Sequence, residues 1–461
     1  MMTKLLRYLL CFLPCGATVL LYASEPNTVI ATINVGLNPA GIAVTPNNLF
    51  AYVVNNNNND VPGQDTVSVL NLTNNTLDLT ITSTTFNEPY TVTINKAGTK
   101  AYVTNSNYTT VSIIDLLSNT VTGTIPGFDG PSGFAITPDG TKAYVNNYGG
   151  PEGVQSGFGN TVRIVNLNTN AITGAPIVTD LAPAALAIAP DGKHLYVANY
   201  TDGNPGTGTV DVVDTTSNLV TTTILGFSGP FDIAITPDSK YAYVTNFGSN
   251  NFLPVGTTIS VIDLATNTIT DTITVGIQPA GIAITPDGRF AYATNYNTIY
   301  NGPDFTDLTA AQGTVNIIDL ATNTVISPMI PVGLSPANVA ISPDGQFAYV
   351  TNYTSNNVDV IALPAAQIVV QACKIANRFL TQIDYVNKLT WTVSGASLPE
   401  SYSIYRDAAL TNLAGTVAGT DPLVFLDHNR NPNITYTYYI VGNYGDGITT
   451  VPVAVTVTQN C

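Results

Sequence analysis

Short runs of β-branched and aromatic residues, separated by Gly, Pro, Asn and Asp, recur along most of the chain. One well-preserved copy begins with Asn267-Thr-Ile-Thr-Asp-Thr-Ile and continues with Gly281-Ile-Ala-Ile, Phe290-Ala-Tyr-Ala-Thr-Asn and Thr314-Val-Asn-Ile-Ile-Asp. Partial alternation within each run, with turn residues between runs, is typical of β-strands joined by hairpins. We therefore predict that each repeat unit is a four-stranded antiparallel sheet.

The repeat occurs seven times, and we name its strands a (Gly-Ile-Ala-Ile), b (Ala-Tyr-Val-Thr-Asn), c (Thr-Val-Ser-Val-Ile-Asp) and d (Asn-Thr-Val). The strand-b tyrosines are Tyr52, Tyr102, Tyr144, Tyr196, Tyr243, Tyr292 and Tyr349. Seven four-stranded units predict an all-β fold, a seven-bladed β-propeller whose sheets pack face to face around an axis.

The strands at the two ends of the repeat region predict how the ring closes. A d strand, Thr28 to Val35, precedes the first a strand, and the last c strand, Asn357 to Leu363, has no d strand after it. Pairing of these two segments would complete the seventh blade and leave no long unpaired edge. The propeller is predicted to span residues 25–364.

The connections between strands differ between the two ends of the propeller. The a–b and c–d turns are short and constant, whereas the b–c loops range from four residues to eighteen. Antiparallel order places the b–c loops and the d–a crossings on one face, which we call the b–c face. Because variable loops on a rigid scaffold commonly carry binding sites, this face is the predicted binding face.

The first four repeats contain Tyr-Val-Thr-Asn or close variants of it, which end at Asn55, Asn105, Asn147 and Asn199. Together with the recurring Thr-Pro-Asp-Gly and Asn-Thr-Val segments, they resemble the YVTN family of seven-bladed propellers, known from bacterial exported proteins and archaeal surface-layer proteins. The resemblance covers about Asn27 to Leu363. It implies an architecture and an extracytoplasmic setting, and it carries no shared catalytic residues.

After Pro364 the repeat ends, and residues 367–461 show a different set of short alternating runs, such as Lys388-Leu-Thr-Trp and Ser401-Tyr-Ser-Ile-Tyr-Arg. These runs predict a β-sandwich with Trp391 in its core. The segment resembles a fibronectin type III domain, which implies a spacer or binding unit. Such domains normally lack a disulfide.

Residues 1–24 are typical of a secretory signal peptide, because Lys4 and Arg7 precede a short apolar run. No later segment has 18 uninterrupted apolar residues, so we expect no membrane span in the mature chain. The protein is predicted to be exported to the periplasm, the cell surface or the medium. Cys373 and Cys461 would remain after cleavage, and an oxidising compartment favours a disulfide between them.

Composition limits the partners of the chain. Charged residues make up 10% and apolar residues 44%, which indicates a packed protein and excludes a disordered polyelectrolyte. The formal net charge is −16 and the pI is about 4.2. Such an acidic chain repels phosphate backbones and anionic membranes, so nucleic acid is an unfavourable partner.

The candidate binding residues lie just past strand b, where an asparagine is followed by an aromatic residue in five of the seven blades. A closed ring would present these side chains together, able to recognise sugar rings or polar peptide. The alternative is that the rings pack beneath their own loops while Asn finishes the strand. The longest b–c loop adds Tyr300 and Phe305. The pairs are Asn147 and Tyr148, Asn199 and Tyr200, Asn246 and Phe247, Asn295 and Tyr296, and Asn352 and Tyr353.

The signals for catalysis are weak, and we predict no catalytic residue, metal site or cofactor. His194 and His428 lie in different regions and fit solvated surface positions. Asp115, Asp214, Asp263 and Asp319 each end a c strand alone, where turn capping explains them better than calcium binding. The preferred function is non-enzymatic binding of a protein or glycan. The alternatives are a lactonase-like propeller hydrolase that uses axial carboxylates or a metal, and nucleic-acid binding, which the charge disfavours.

Overall fold

The computed structural model describes residues 27–57, 65–149, 159–201, 205–248, 255–301, 307–364, 367–378, 383–394, 399, 401–419, 423–428, 430–431, 433–443 and 453–457. The predicted signal peptide, 1–24, lies outside these residues. The chain divides into two compact units, one with Ser24–Ala365 and one with Ala366–Cys461. In the part of the chain that is described, no helix is long and apolar enough to cross a membrane.

Thirty strands belong to the compact unit Ser24–Ala365, which we call the N-terminal unit. In chain order they are β1 (Thr28–Asn34), β2 (Pro39–Val44), β3 (Phe50–Asn55), β4 (Thr66–Asn71), β5 (Thr76–Thr82), β6 (Pro89–Ile94), β7 (Lys100–Asn105), β8 (Thr110–Asp115), β9 (Thr120–Pro126), β10 (Pro131–Ile136), β11 (Lys142–Asn147), β12 (Thr161–Asn166), β13 (Ala171–Val178), β14 (Pro183–Ile188), β15 (His194–Asn199), β16 (Pro205–Asp214), β17 (Leu219–Ser228), β18 (Pro230–Ile235), β19 (Tyr241–Gly248), β20 (Val255–Asp263), β21 (Thr268–Thr274), β22 (Pro279–Ile284), β23 (Phe290–Asn295), β24 (Thr298–Asn301), β25 (Asp307–Ala310), β26 (Gln312–Asp319), β27 (Thr324–Leu334), β28 (Pro336–Ile341), β29 (Phe347–Asn352) and β30 (Asn357–Ala362).

These strands form seven four-stranded sheets and one extra hairpin, β24–β25. Numbered along the chain, the blades are β2-β3-β4-β5, β6-β7-β8-β9, β10-β11-β12-β13, β14-β15-β16-β17, β18-β19-β20-β21, β22-β23-β26-β27 and β28-β29-β30-β1. The innermost strands β2, β6, β10, β14, β18, β22 and β28 each contact the next, and β28 contacts β2. The N-terminal unit is therefore a closed seven-bladed β-propeller.

Closure follows the predicted arrangement. Strand β1 pairs antiparallel with β30, from Thr28 opposite Ala362 to Asn34 opposite Asn357. Ile33 of β1 packs in a buried apolar cluster with Val358 of the seventh blade and Ile42 of the first. The N-terminal strand thus completes the last blade and contributes to the core shared with the first.

The repeat tyrosine links neighbouring blades. All seven tyrosines are almost fully buried, and five donate a hydrogen bond to the asparagine that opens strand d of the following blade. These pairs are Tyr52–Asn119, Tyr144–Asn218, Tyr196–Asn267, Tyr243–Asn323 and Tyr292–Asn27, with oxygen–oxygen distances of 2.5, 2.7, 3.1, 2.7 and 2.8 Å. The acceptor asparagines have φ between 53° and 59°, a left-handed conformation that Asn tolerates better than most residues.

The repeat threonine links the innermost strands. Thr245 Oγ1 accepts the amide of Asp232 in its own blade at 2.9 Å and donates to the carbonyl of Ala280 in the next blade at 2.8 Å. Thr351 makes the same donation to Ala40 at 2.7 Å, which joins the seventh blade to the first. The two hydroxyl groups of Tyr-Val-Thr-Asn therefore connect blades at the outer and inner edges of the ring.

The C-terminal unit contains two sheets. Its strands are β31 (Gln367–Arg378), β32 (Ile383–Ser394), β33 (Ser401–Tyr405), β34 (Leu413–Ala418), β35 (Val424–Asp427), β36 (Tyr436–Asn443) and β37 (Val453–Val457). The sheet orders are β31-β32-β35 and β34-β33-β36-β37. One buried apolar cluster takes Trp391 from the first sheet and Tyr402 and Tyr438 from the second. Trp391 is buried as predicted. Cys373 is disulfide-bonded; its predicted partner, Cys461, lies outside the described residues.

The closure bond predicts a measurable coupling energy. In a double-mutant cycle of Tyr292→Phe and Asn27→Gly, we expect about 1 kcal/mol of coupling in the free energy of unfolding, the usual net contribution of one hydrogen bond. Glycine preserves the left-handed backbone while it removes the acceptor. The matched cycle of Tyr52→Phe and Asn119→Gly, between the first two blades, should give a similar value. A coupling near zero only for the closure pair would contradict the arrangement of β1.

Candidate functional site

The strand-b asparagines are buried within their own blades. Asn295 donates from Nδ2 to Thr314 Oγ1 at 2.9 Å and to Asn316 Oδ1 at 2.8 Å. Asn352 donates in the same way to Asn357 and Asp359 at 2.8 and 2.9 Å. Corresponding bonds join Asn147 to Thr161, Asn199 to Thr209 and Asp211, and Asn246 to Thr258 and Ser260. These amides fasten the end of strand b to the start of strand c, which agrees with the alternative interpretation for the asparagines.

The residue after each asparagine lies on the b–c face beside the innermost strand. Its backbone amide donates to the carbonyl of the residue just before strand a, at 2.8 to 3.0 Å in all seven blades. The donors are Asn56, Ser106, Tyr148, Tyr200, Phe247, Tyr296 and Tyr353. The seven positions are therefore equivalent around the propeller, with polar residues in blades one and two and aromatic residues in blades three to seven.

The aromatic side chains contact one another across blades. Phe247 stacks on Phe231 with ring centroids 4.9 Å apart and meets the edge of Tyr296 at 6.0 Å. Tyr296 lies 6.4 Å from Tyr353, with ring planes inclined by 48°. Tyr200 is buried, and its hydroxyl donates to the Gly248 carbonyl at 2.6 Å. The rings form a continuous arc, in which Tyr200 and Phe247 are buried and the other aromatic side chains are half-buried.

Two residues from the innermost strands complete this arc. Tyr90 lies on β6 of the second blade and Asp232 on β18 of the fifth. Burial raises the pKa of the Tyr90 phenol, and the nearby ionisable groups of Tyr148, Asp232, Tyr296 and Tyr353 raise it further. Groups from blades two, three, five, six and seven can interact in this way only near the axis. We call Tyr90, Tyr148, Asp232, Tyr296 and Tyr353 the axial centre.

Asp232 is the carboxylate of the axial centre. Its Oδ1 accepts the amide of Ile233 at 2.8 Å, and its Oδ2 accepts the amide of Ile282 in the sixth blade at 2.9 Å. Burial raises the pKa of Asp232 to about 6, against the lowering effect of these two amides. Asp232 is therefore mostly ionised at neutral pH, in a partly desolvated position.

A second carboxylate lies on the polar side of the ring. Glu88 precedes Pro89, and its backbone amide donates to Asp65 Oδ2 at 3.1 Å. Burial raises the pKa of Tyr353 to about 12, with smaller contributions from Tyr296 and Glu88. The phenols of the axial centre with raised pKa values stay neutral at physiological pH, so its negative charge comes from carboxylates.

The other candidates do not add to the described part of this centre. The side chain of Tyr300 and the whole of Phe305 fall outside the described residues. Asp263 Oδ1 accepts the amides of Ala265 and Thr266 at 2.9 and 3.0 Å, which is the predicted turn cap. His194 begins β15 at a tight turn on the opposite face. Among the described residues, no group of three or more His, Cys, Asp and Glu side chains is arranged to hold a metal ion.

Comparison with known proteins supports the propeller. The family model described as "Lactonase, 7-bladed beta-propeller" matches residues 228–374. The "Seven-bladed beta-propeller protein Rv1057" of Mycobacterium tuberculosis is 33% identical over 137 residues, which are 29% of this chain and 33% of that protein. The hydrazine synthase subunit beta of Kuenenia stuttgartiensis is 59% identical over 32 residues, 7% of this chain and 8% of that protein.

A third curated relative, "PE-PGRS family protein PE_PGRS18" of Mycobacterium tuberculosis, is 51% identical over 59 residues, 13% of each chain. The matched stretches thus span a third or less of the curated relatives. A solved structure of Kuenenia stuttgartiensis hydrazine synthase aligns with a TM-score of 0.58 and 24% identity, over 70% of this chain and 95% of that chain. This likeness shows the fold.

The clamp role of the asparagines predicts a loss of stability. Replacement Asn295→Ala removes two buried hydrogen bonds, so we expect the free energy of unfolding to fall by about 2 kcal/mol. The exposed control Asn168→Ala should change it by less than about 0.5 kcal/mol. Denaturant unfolding of both variants measures the difference. Equal stabilities would show that Asn295 does not fasten the strands.

The raised pKa of Asp232 predicts how stability depends on pH. The folded chain holds this proton to higher pH than the unfolded chain, so the stabilisation from protonation is complete below about pH 4 and is lost as pH rises through about 6. Relative to Asp232→Asn, the wild-type chain should therefore gain up to about 3 kcal/mol as pH falls through this window. Denaturant unfolding of both chains at several pH values tests this. Parallel stability curves would contradict it.

Proposed function

We propose that this chain is an exported, non-enzymatic binding protein whose b–c face contacts a protein or glycan partner at the cell envelope or outside the cell. One observation carries the proposal: an arc of aromatic side chains from blades three to seven meets Tyr90 and Asp232 at the axis of that face. Half-buried aromatic rings with few polar groups among them are typical of recognition surfaces. The tyrosines combine an apolar ring with a hydroxyl tip, which suits a partner with both apolar and polar groups.

The inter-blade bonds support a finer assignment to the YVTN repeat. The tyrosine and threonine hydroxyls and the asparagine amide each have a defined structural role that recurs around the ring. The members of the YVTN family share an architecture, and a motif whose side chains hold the blades together fits such a family. Binding specificity would then come from other positions. The aromatic arc occupies such positions, directly after the motif.

The C-terminal unit supports a spacer of the fibronectin type III kind. A three-stranded and a four-stranded sheet share one apolar core around Trp391. Arg406 forms a bidentate ion pair with the buried Asp427, at 2.9 and 3.0 Å, and Tyr438 donates to the same carboxylate at 2.7 Å. This network occupies Asp427, the neighbour of His428 in the sequence, so this carboxylate supports the fold. The disulfide at Cys373 is consistent with export to an oxidising compartment.

A lactonase-like hydrolase is the second candidate. The family model that matches residues 228–374 favours it, and so does the presence of Asp232, whose pKa of about 6 suits a general base near neutral pH. Metal analysis of the purified mature chain and a lactone-hydrolysis assay with Asp232→Asn separate the two functions. Lactone turnover that the variant loses would replace the binding proposal. Nucleic-acid binding stays disfavoured by the net charge of −16.

The binding proposal predicts that the extra hairpin contributes to recognition. Replacement of residues 298–310 by a short Gly-Ser linker should weaken partner capture on protein and glycan arrays, because this hairpin extends from the b–c face. The control Tyr241→Leu changes an exposed aromatic residue on the opposite face and should bind like the wild type. Equal capture by all three chains would refute the hairpin assignment.

A further inference from the structure

We propose that the axial centre binds a methylated ammonium group, carried by the partner of the b–c face. The inference rests on the proposed binding function and gives the ligand a chemical class. Three independent features point to a cation: the inclination of the aromatic rings, a carboxylate that forms no ion pair with any described residue, and the distribution of bases over the propeller.

The aromatic rings of the arc are inclined to one another. Tyr296 is inclined by 61° to Phe247 and by 48° to Tyr353, so the rings are not stacked into one flat surface. Tyr90 and Tyr148 add half-buried rings from the second and third blades. Inclined aromatic rings offer their electron-rich faces in more than one direction, and such faces attract an alkylated cation. A sugar ring, by contrast, is best served by one flat aromatic platform.

Within the described part of the chain, the carboxylate of the axial centre forms no ion pair. Both oxygens of Asp232 accept backbone amides, and among the described residues no Lys, Arg or His forms an ion pair with it. A partly desolvated anion without a counter-ion is costly in the folded chain, and a bound cation would relieve this cost. Glu88, which lies close enough to raise the Tyr353 pKa, adds negative charge on the other side of the centre.

The bases of the propeller lie mostly on the opposite face. Six of them sit in or directly after the a–b turns: Lys96, Lys100, Lys142, Lys193, Lys240 and Arg289. The seventh is Arg163 in β12 of the third blade. Acidic side chains lie on both faces, at turns such as that of Asp115 and at the b–c face, which has Asp65, Asp129 and Asp180, so the bases make the difference between the faces. This asymmetry draws cations toward the b–c face and repels anions from it.

A methylated ammonium fits these features better than a primary amine. Tyrosine rings cannot replace the hydrogen bonds that water gives to an NH₃⁺ group, whereas methyl groups need none and pack against the rings. Two sources carry this chemistry: N-methylated lysine in a protein, and a choline substituent on a glycan. The acidic surroundings disfavour the phosphate that accompanies choline, so we commit to methylated lysine.

The experiment measures how tightly the mature full-length chain binds a cation and an uncharged analogue of the same shape. Calorimetric titration should detect binding of choline, and 3,3-dimethyl-1-butanol, which has the same shape without the charge, should bind at least tenfold more weakly. The variants Asp232→Asn and Tyr353→Leu should each weaken choline binding about tenfold, while Tyr353→Phe should keep it within threefold because the ring remains. Tyr241→Leu, on the opposite face, serves as the control, and circular dichroism verifies that each variant is folded.

Further probes identify the source. Nε-trimethyl-lysine within a short peptide should bind more tightly than the same peptide with unmodified lysine and more tightly than phosphocholine. Tighter binding of phosphocholine would overturn the assignment to lysine. Equal binding of choline and 3,3-dimethyl-1-butanol, or no binding of either, would overturn the cation site. This holds even if a partner is captured on the arrays. Choline binding without any array partner would instead contradict the proposed macromolecular partner.

Discussion

The hydrogen bond from the strand-b tyrosine to the opening asparagine of the next blade is the contact on which the propeller depends. It combines two requirements: a buried phenol needs an acceptor, and the start of strand d needs a residue that tolerates a left-handed backbone. Asparagine meets both, for example at Asn323 beneath Tyr243. Five of the seven tyrosines make this bond, and each of the five reaches the following blade, so the repetition favours a ring. Tyr292 with Asn27 joins the sixth blade to the strand that completes the seventh.

In this ring, the residues that hold the blades together and the residues that distinguish this chain occupy different positions of the repeat. Positions in Tyr-Val-Thr-Asn are buried inside the scaffold and carry its inter-blade and inter-strand hydrogen bonds, so changes there alter stability. The positions directly after the motif, and the second and third positions of strand a, lie around the axis and are free to vary. Most of the strand-a positions carry small residues such as Ala280 and Gly281, whereas Tyr90, Phe231 and Asp232 depart from that pattern. The specific chemistry is concentrated in these departures.

Sequence reasoning reached the fold because the fold is repetitive. Seven units, the leading d strand and the buried Trp391 all follow from local patterns, and the pairing of β1 with β30 follows from the count of strands. The axial centre does not follow in this way. Tyr90 and Asp232 lie in different repeats, and only their neighbours around a closed ring reveal that they share a site. The asparagines were also ambiguous, since an amide at a strand end can face a ligand or clamp strand c, and the decision depends on partners such as Asn316.

The closing strand has a consequence for biosynthesis. Thr32 of β1 donates a hydrogen bond to Asp359 across a separation of 327 residues, and ribosomes deliver the N-terminus first. The strand that seals the ring is therefore made at the beginning and receives its partner only at the end. Throughout elongation it stays a β-prone tail, rich in Thr, Val and Ile, that another nascent chain could capture. Strand β1 must pair with its own chain before a neighbouring nascent chain pairs with it, so the yield of native protein should fall as the concentration of nascent chains rises.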